Sequence, residues 1–245
     1  MFEAILDRVR EPVRGGPRVR LDEGFCTEVA DVYERAPMLA PDPELLHGYS
    51  VFARENLRQF ESIVDSGLRV EPWRGKGQPY RDSADLRRHV RDTGTLRLFL
   101  TRCGHGPGPP TGYHPLLEPA GVTIEGVELT HNDVFRVVHD VFGHVVAANG
   151  FGPRGEFTAT YLHLRTYPEA AHPVLFTEQI GQICWFYYGP HLRDERGAVR
   201  APGDPGYLPA ARRPYARQKV FAFDRRFLDE FRGLFDNSAK QRSDV

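Results

Sequence analysis

The sequence predicts a mainly α-helical protein with a small β component, and three observations carry that prediction. Apolar residues recur at helical spacing over 25–35, 44–65 and most of the chain beyond residue 130. Strict alternation is confined to two short stretches near 95–101 and 122–129. Gly and Pro, 24 and 20 of the 245 residues, are densest over 103–121, between the two alternating stretches. No internal repeat interrupts the pattern, so the expected organisation is one domain over 21–236. A loosely held basic arm, 1–20, precedes it and a frayed tail, 237–245, follows.

Taken in order, the first helix is expected over 25–35, with Val29, Val32 and Tyr33 on one face and Pro37 ending it. The second spans 44–65, where Leu45, Tyr49, Phe52, Leu57, Phe60 and Val64 form a stripe and Gly67 supplies the C-terminal cap. A short helix over 83–91 follows a serine cap. Leu96, Leu98 and Leu100 alternate with polar residues, which reads as a strand over 95–101, and the 122–129 stretch is expected to pair with it. Between them, 103–121 holds so much Gly and Pro that regular structure is excluded; a loop of that length suits a lid, with Tyr113 and His114 at its end. Asn132 or Asp133 then caps a helix reaching His144. Further helices are expected over 156–166, 170–188 and 225–235, with a short segment at 217–223.

Composition narrows the function classes. A formal net charge of -1 provides no basic field for nucleic acid. No apolar run approaches the ~20 residues of a membrane span, and the first residues lack the pattern of a secretory signal. Cys26, Cys103 and Cys184 are scattered and odd in number, which is the usage of a reduced, cytoplasmic protein.

The chemistry-bearing run is HDVFGH, residues 139–144. Two imidazoles suit iron, zinc, copper or nickel. His139 and His144 are five apart, however, which on an ideal α-helix separates them by roughly 140°. Gly143 is expected to end or distort the turn so that His144 swings toward His139. A third ligand should be a carboxylate on another element. Glu178 is the candidate, because it stands in the apolar helix PVLFTEQIGQICWFYYG, where a charge needs a partner, with Gln182 on the same side. Two histidines and a carboxylate would form the open facial site of non-haem Fe(II) oxygenases. His131 and Asp133 stand close enough ahead to serve as outer partners or alternative ligands. Glu55, Gln59 and Arg165 are candidate pocket residues.

On His139, Asp140, Gly143 and His144 the sequence resembles the pterin-dependent aromatic amino acid hydroxylases, particularly their short bacterial members. The likeness spans about residues 130–190. It implies that catalytic core, Fe(II) held by His139, His144 and a downstream glutamate, and a tetrahydropterin reductant. Asp140 would face the pterin and Phe99 would offer it an aromatic surface, although a strand phenylalanine also reads as plain core. Alignment on LFTE makes Glu178 the ligand; alignment on Trp185 and Phe186 would put Gly189 there instead. The implied activity is hydroxylation of a small, aromatic or amino-acid-derived substrate with O2. Two other readings stand beside it: an HD-type metal-dependent phosphohydrolase, built on His139-Asp140 with His131, and a binding protein whose histidines are structural.

Overall fold

The computed structural model describes residues 17–104 and 113–235. Helices dominate, and the β structure amounts to two separate two-stranded sheets. Helix α1, Glu23–Arg35, starts at Asp22, whose side chain accepts from the Phe25 amide. Helix α2, Pro43–Asp65, starts at Asp42 in the same way, with Pro43 in the first turn where its missing N–H costs nothing. Gly67 follows its end with φ of 86° and returns its amide to Val64, as the sequence anticipates.

Strand β1, Arg69–Pro72, runs parallel to β2, Thr95–Leu98, joined by helix α3, Ser83–Thr93. Asp82 rather than Ser83 caps α3, and Gly94 ends it in the left-handed region. Strand β3, Pro119–Ile124, turns back on β4, Val127–Thr130. The expected pairing of 122–129 with 95–101 therefore does not form. Glu125 and Gly126 both take positive φ, the requirement of a tight hairpin turn, so the segment pairs with itself.

Helix α4, His131–His139, is capped by Thr130 and not by Asn132 or Asp133. Asp133 completes a reciprocal capping box with Thr130, and its second oxygen accepts from the Thr101 amide. The helix then continues without a break as a π-helical turn, Asp140–Val146. Helix α5, Pro153–His163, follows. The next helical run, 172–188, comprises α-helical His172–Leu175, a second π-helical turn, Phe176–Gly181, and α-helical Gln182–Tyr188; it is called α6. Helix α7, Arg225–Gly233, closes the described chain.

The core sits where α2 crosses α4, with Phe52 against Phe135 at 4.8 Å and against Tyr167 at 5.5 Å between ring centroids. Helix α1 packs on the end of α6. The segment around 217–223 forms no regular element but seals the end of α1. There the buried Lys219 ammonium donates to the carbonyls of Tyr33, Glu34 and Ala36, a cation placed at a helix C-terminus. Val19 bridges Phe235, so the end of the expected arm is tied to the body.

Candidate metal centre

His139 ends α4 and His144 lies in the π-helical turn that extends it. The turn is marked by the Ala147 amide donating to the Phe142 carbonyl five residues back. A helix with that hydrogen-bond spacing brings residues five apart to one side, which an α-helix does not. The two Nε2 atoms stand 2.9 Å apart, with the rings nearly perpendicular. Gly143 does not end the helix, but the turn that contains it is distorted to the π form, the second of the two effects expected there. A Cβ there would lie 2.9 Å from Ala159 Cβ, so glycine lets α5 pack directly against the turn.

That close packing delivers the carboxylate. Glu156, in the first turn of α5, places Oε2 3.0 Å from His139 Nε2 and Oε1 3.5 Å from His144 Nε2. Among the described residues, His139, His144 and Glu156 are the group of His, Cys, Asp and Glu side chains able to hold a metal, their ligand atoms lying within 4.8 Å of one another. The sequence reading missed Glu156, which looks like an ordinary acidic residue complementing a helix N-terminus. The available signal was glycine. Gly143 marks a contact closer than a side chain permits, since a Cβ there would meet that of Ala159 on α5.

Glu178, the sequence candidate for the third ligand, is placed elsewhere. Its Oε1 accepts from Tyr49 Oη at 2.6 Å and lies 3.1 Å from His114 Nε2. Its Oε2 accepts from Gln182 Nε2 at 2.9 Å, so those two share a side as the sequence suggests. His114 Nδ1 accepts the Leu116 amide, which leaves Nε2 as its protonated nitrogen. This charge in an apolar helix is thus matched by hydrogen bonds from Tyr49 and Gln182, with the His114 ring close by. The π-helical turn over Phe176–Gly181 changes the register, and the next residue, Gln179, is the one that reaches His139, at 2.7 Å from Nδ1.

The remaining candidates fall around the centre or away from it. Asp140 is adjacent in sequence but outside the ligand group; burial pushes its carboxyl up, opposed by His144, His139 and Arg136. The Arg136 guanidinium lies over the Phe99 ring at 5.9 Å and donates to the Phe99 carbonyl. Asp133 is taken by its capping box. Glu55 bonds Arg58 and Gln59, and Arg165 is exposed. Residues 105–112 of the expected lid lie outside the described residues; beyond them Tyr113 is exposed and His114 is buried on Glu178.

Outer partners fix the ligand rings. His144 Nδ1 lies 3.2 Å from the Asn149 carbonyl, an acceptor only, so Nδ1 carries the hydrogen and Nε2 presents its lone pair inward. The carbonyl reaches back because Ala148 adopts φ of 57°, an uncommon left-handed conformation, and Arg87 from α3 donates to the Ala148 carbonyl. The Phe151 ring packs edge-on to His144 at 4.7 Å. Burial opposes charge on His139, but the hydrogen bond and charge of Glu156 prevail and its pKa is raised. Burial lowers that of His144 against the pull of Glu156. For Glu156, burial acts upward and is outweighed by the two histidines, leaving it lowered.

No family model, curated protein or solved structure matches this chain. Among the described residues no helix is long and apolar enough to cross a membrane.

Proposed function

We propose that His139, His144 and Glu156 hold a single divalent metal ion, and that the protein is a non-haem Fe(II) mono-oxygenase acting on a small substrate. The observation that carries the metal is the convergence of three acceptors. The inward lone pair of His144, the Nε2 of His139 and the Glu156 carboxylate meet within 3.5 Å with side chains 1–13% exposed. Such groups repel one another unless a cation lies between them, either protons or a metal. Two imidazoles and one carboxylate are the donor set of facial iron sites that leave positions open for substrate and O2.

Iron is preferred over zinc through the HDVFGH resemblance to the aromatic amino acid hydroxylases, which also suggests their catalytic core and a tetrahydropterin reductant. Glu156 replaces Glu178 in this assignment. Bound Fe(II) would supply O2 activation. The chain's own residues orient and shield: Asn149 fixes the His144 tautomer, Phe151 covers its ring, and the tight α4–α5 crossing excludes water from behind. The phosphohydrolase reading gains nothing from the geometry, since Asp140 is outside the ligand group.

The test is metal analysis of protein purified without chelator, followed by O2 uptake after iron loading, with and without tetrahydropterin. One iron per chain and pterin-dependent uptake support the assignment. Tight zinc with no uptake on iron exchange overturns the oxygenase, and absence of any bound metal overturns the centre itself.

A further inference from the structure

Behind His139, on the side away from Glu156, lies a buried polar chain: Gln179 from α6, then Thr160 and His163 from α5. All three are under a tenth exposed. Gln179 Nε2 lies 2.7 Å from His139 Nδ1 and Gln179 Oε1 lies 2.8 Å from Thr160 Oγ1. Thr160 Oγ1 is also 2.9 Å from the Glu156 backbone carbonyl.

With the amide in that orientation Gln179 donates to His139 Nδ1, which places the ring hydrogen on Nε2, where it serves Glu156 and His144 and leaves no lone pair for a metal. A half-turn of the amide gives the arrangement that a metal on Nε2 requires. Thr160 then donates to the Glu156 carbonyl, Gln179 Nε2 donates to Thr160 Oγ1, and His139 Nδ1–H donates to Gln179 Oε1. His163 Nε2, 3.2 Å from the same Nδ1, faces it as a second acceptor.

We propose that Gln179 is a positioning residue that holds His139 in its Nδ1–H tautomer, through an amide anchored by Thr160 and the Glu156 backbone, so that Nε2 is free to bind metal. This rests on the metal reading above, because without a metal the ring hydrogen is better placed on Nε2, between Glu156 and His144. The arrangement links the two π-helical turns. One brings His139 and His144 together, and the other turns Gln179, in place of Glu178, toward the outer nitrogen of His139. Because Thr160 bonds the backbone of Glu156 itself, the same chain of hydrogen bonds ties a ligand-bearing turn of α5 to the orientation of a ligand ring on α4.

Two readouts of Co(II) binding decide it, the affinity and the visible spectrum. In Co(II)-loaded protein, Gln179→Leu should weaken affinity about 10–100-fold and shift the visible bands, the range for loss of an outer partner. Gln179→Glu, which keeps the acceptor, should restore affinity to within a few-fold of the parent. Wild-type affinity and unshifted bands in Gln179→Leu overturn the proposal. If the unmodified protein takes up no Co(II), the metal reading fails and this proposal with it; normal uptake that Gln179→Leu leaves unchanged overturns this proposal alone.

Discussion

Replacing Glu156 with Gln keeps the shape of the side chain and removes its charge. With metal present, loss of an outer hydrogen-bond partner already costs about 10–100-fold in affinity. Loss of a direct carboxylate should therefore cost at least ~100-fold, or about 2.7 kcal/mol at 1.36 kcal/mol per decade. Without metal the sign of the stability effect depends on pH. At about pH 6, His139 is charged through Glu156, and the two side chains are only 12% and 13% exposed. Stranding that imidazolium should destabilise the fold by about 3 kcal/mol, the lower end for a broken buried pair because some solvent reaches it. In a chain of this size that lowers Tm by roughly 6–12 °C. At high pH, where His139 is neutral, removing a buried carboxylate from beside two lone pairs should cost little or stabilise. Competition of Co(II) against a chelating indicator gives the affinity, and thermal melts in excess chelator give the stability. If Glu156→Gln binds metal as tightly as the parent while Glu178→Gln does not, the ligand assignment is wrong.

Glu178→Gln should leave metal content unchanged but weaken the hydrogen bonds from Tyr49 and Gln182, at about 2–3 kcal/mol in total; metal analysis alongside a melt separates the two effects. Gly143→Ala should destabilise by about 1–3 kcal/mol, because the new methyl meets Ala159 Cβ at 2.9 Å. It should also loosen metal binding, and a variant as stable and as metal-tight as the parent would contradict the packing argument. The pH dependence of the metal-free protein follows from two opposite shifts. The His139 pKa is raised, so its contribution to stability is complete below the unfolded value of 6.5 and is lost as pH rises through the raised value. The Glu156 pKa is lowered, so its contribution is present above 4.5 and is lost as pH falls through the lowered value. Metal must displace the His139 proton, so affinity should climb with pH across that raised range with proton release, measurable by calorimetry in two buffers of different ionisation enthalpy. Affinity flat between about pH 5 and 8 would contradict the assigned ligands.

The sequence by itself determined the helical elements and half of the proposed centre. The stripes of α1 and α2 are legible because burying one face of a regular helix imposes a regular period on Leu45, Tyr49, Phe52 and Phe60. The pair His139 and His144 is legible because both lie in one short run. Three things were decided only in three dimensions. The strand around 95–101 found its partner in β1 rather than in 122–129, because a two-residue turn of positive φ folded the latter on itself. The convergence of the histidines came from a π-helical turn, whose hydrogen bonds depart from the α period on which sequence reading relies. The carboxylate came from α5 because Gly143 lets that helix pack directly on the π-helical turn, and such proximity leaves no periodic trace in either segment. Glu178 was a sound inference about a buried charge, but burial requires only that a charge be matched. Tyr49, distant in the chain and adjacent in the fold, matches it with a hydrogen bond, as does Gln182, where the sequence suggested a metal.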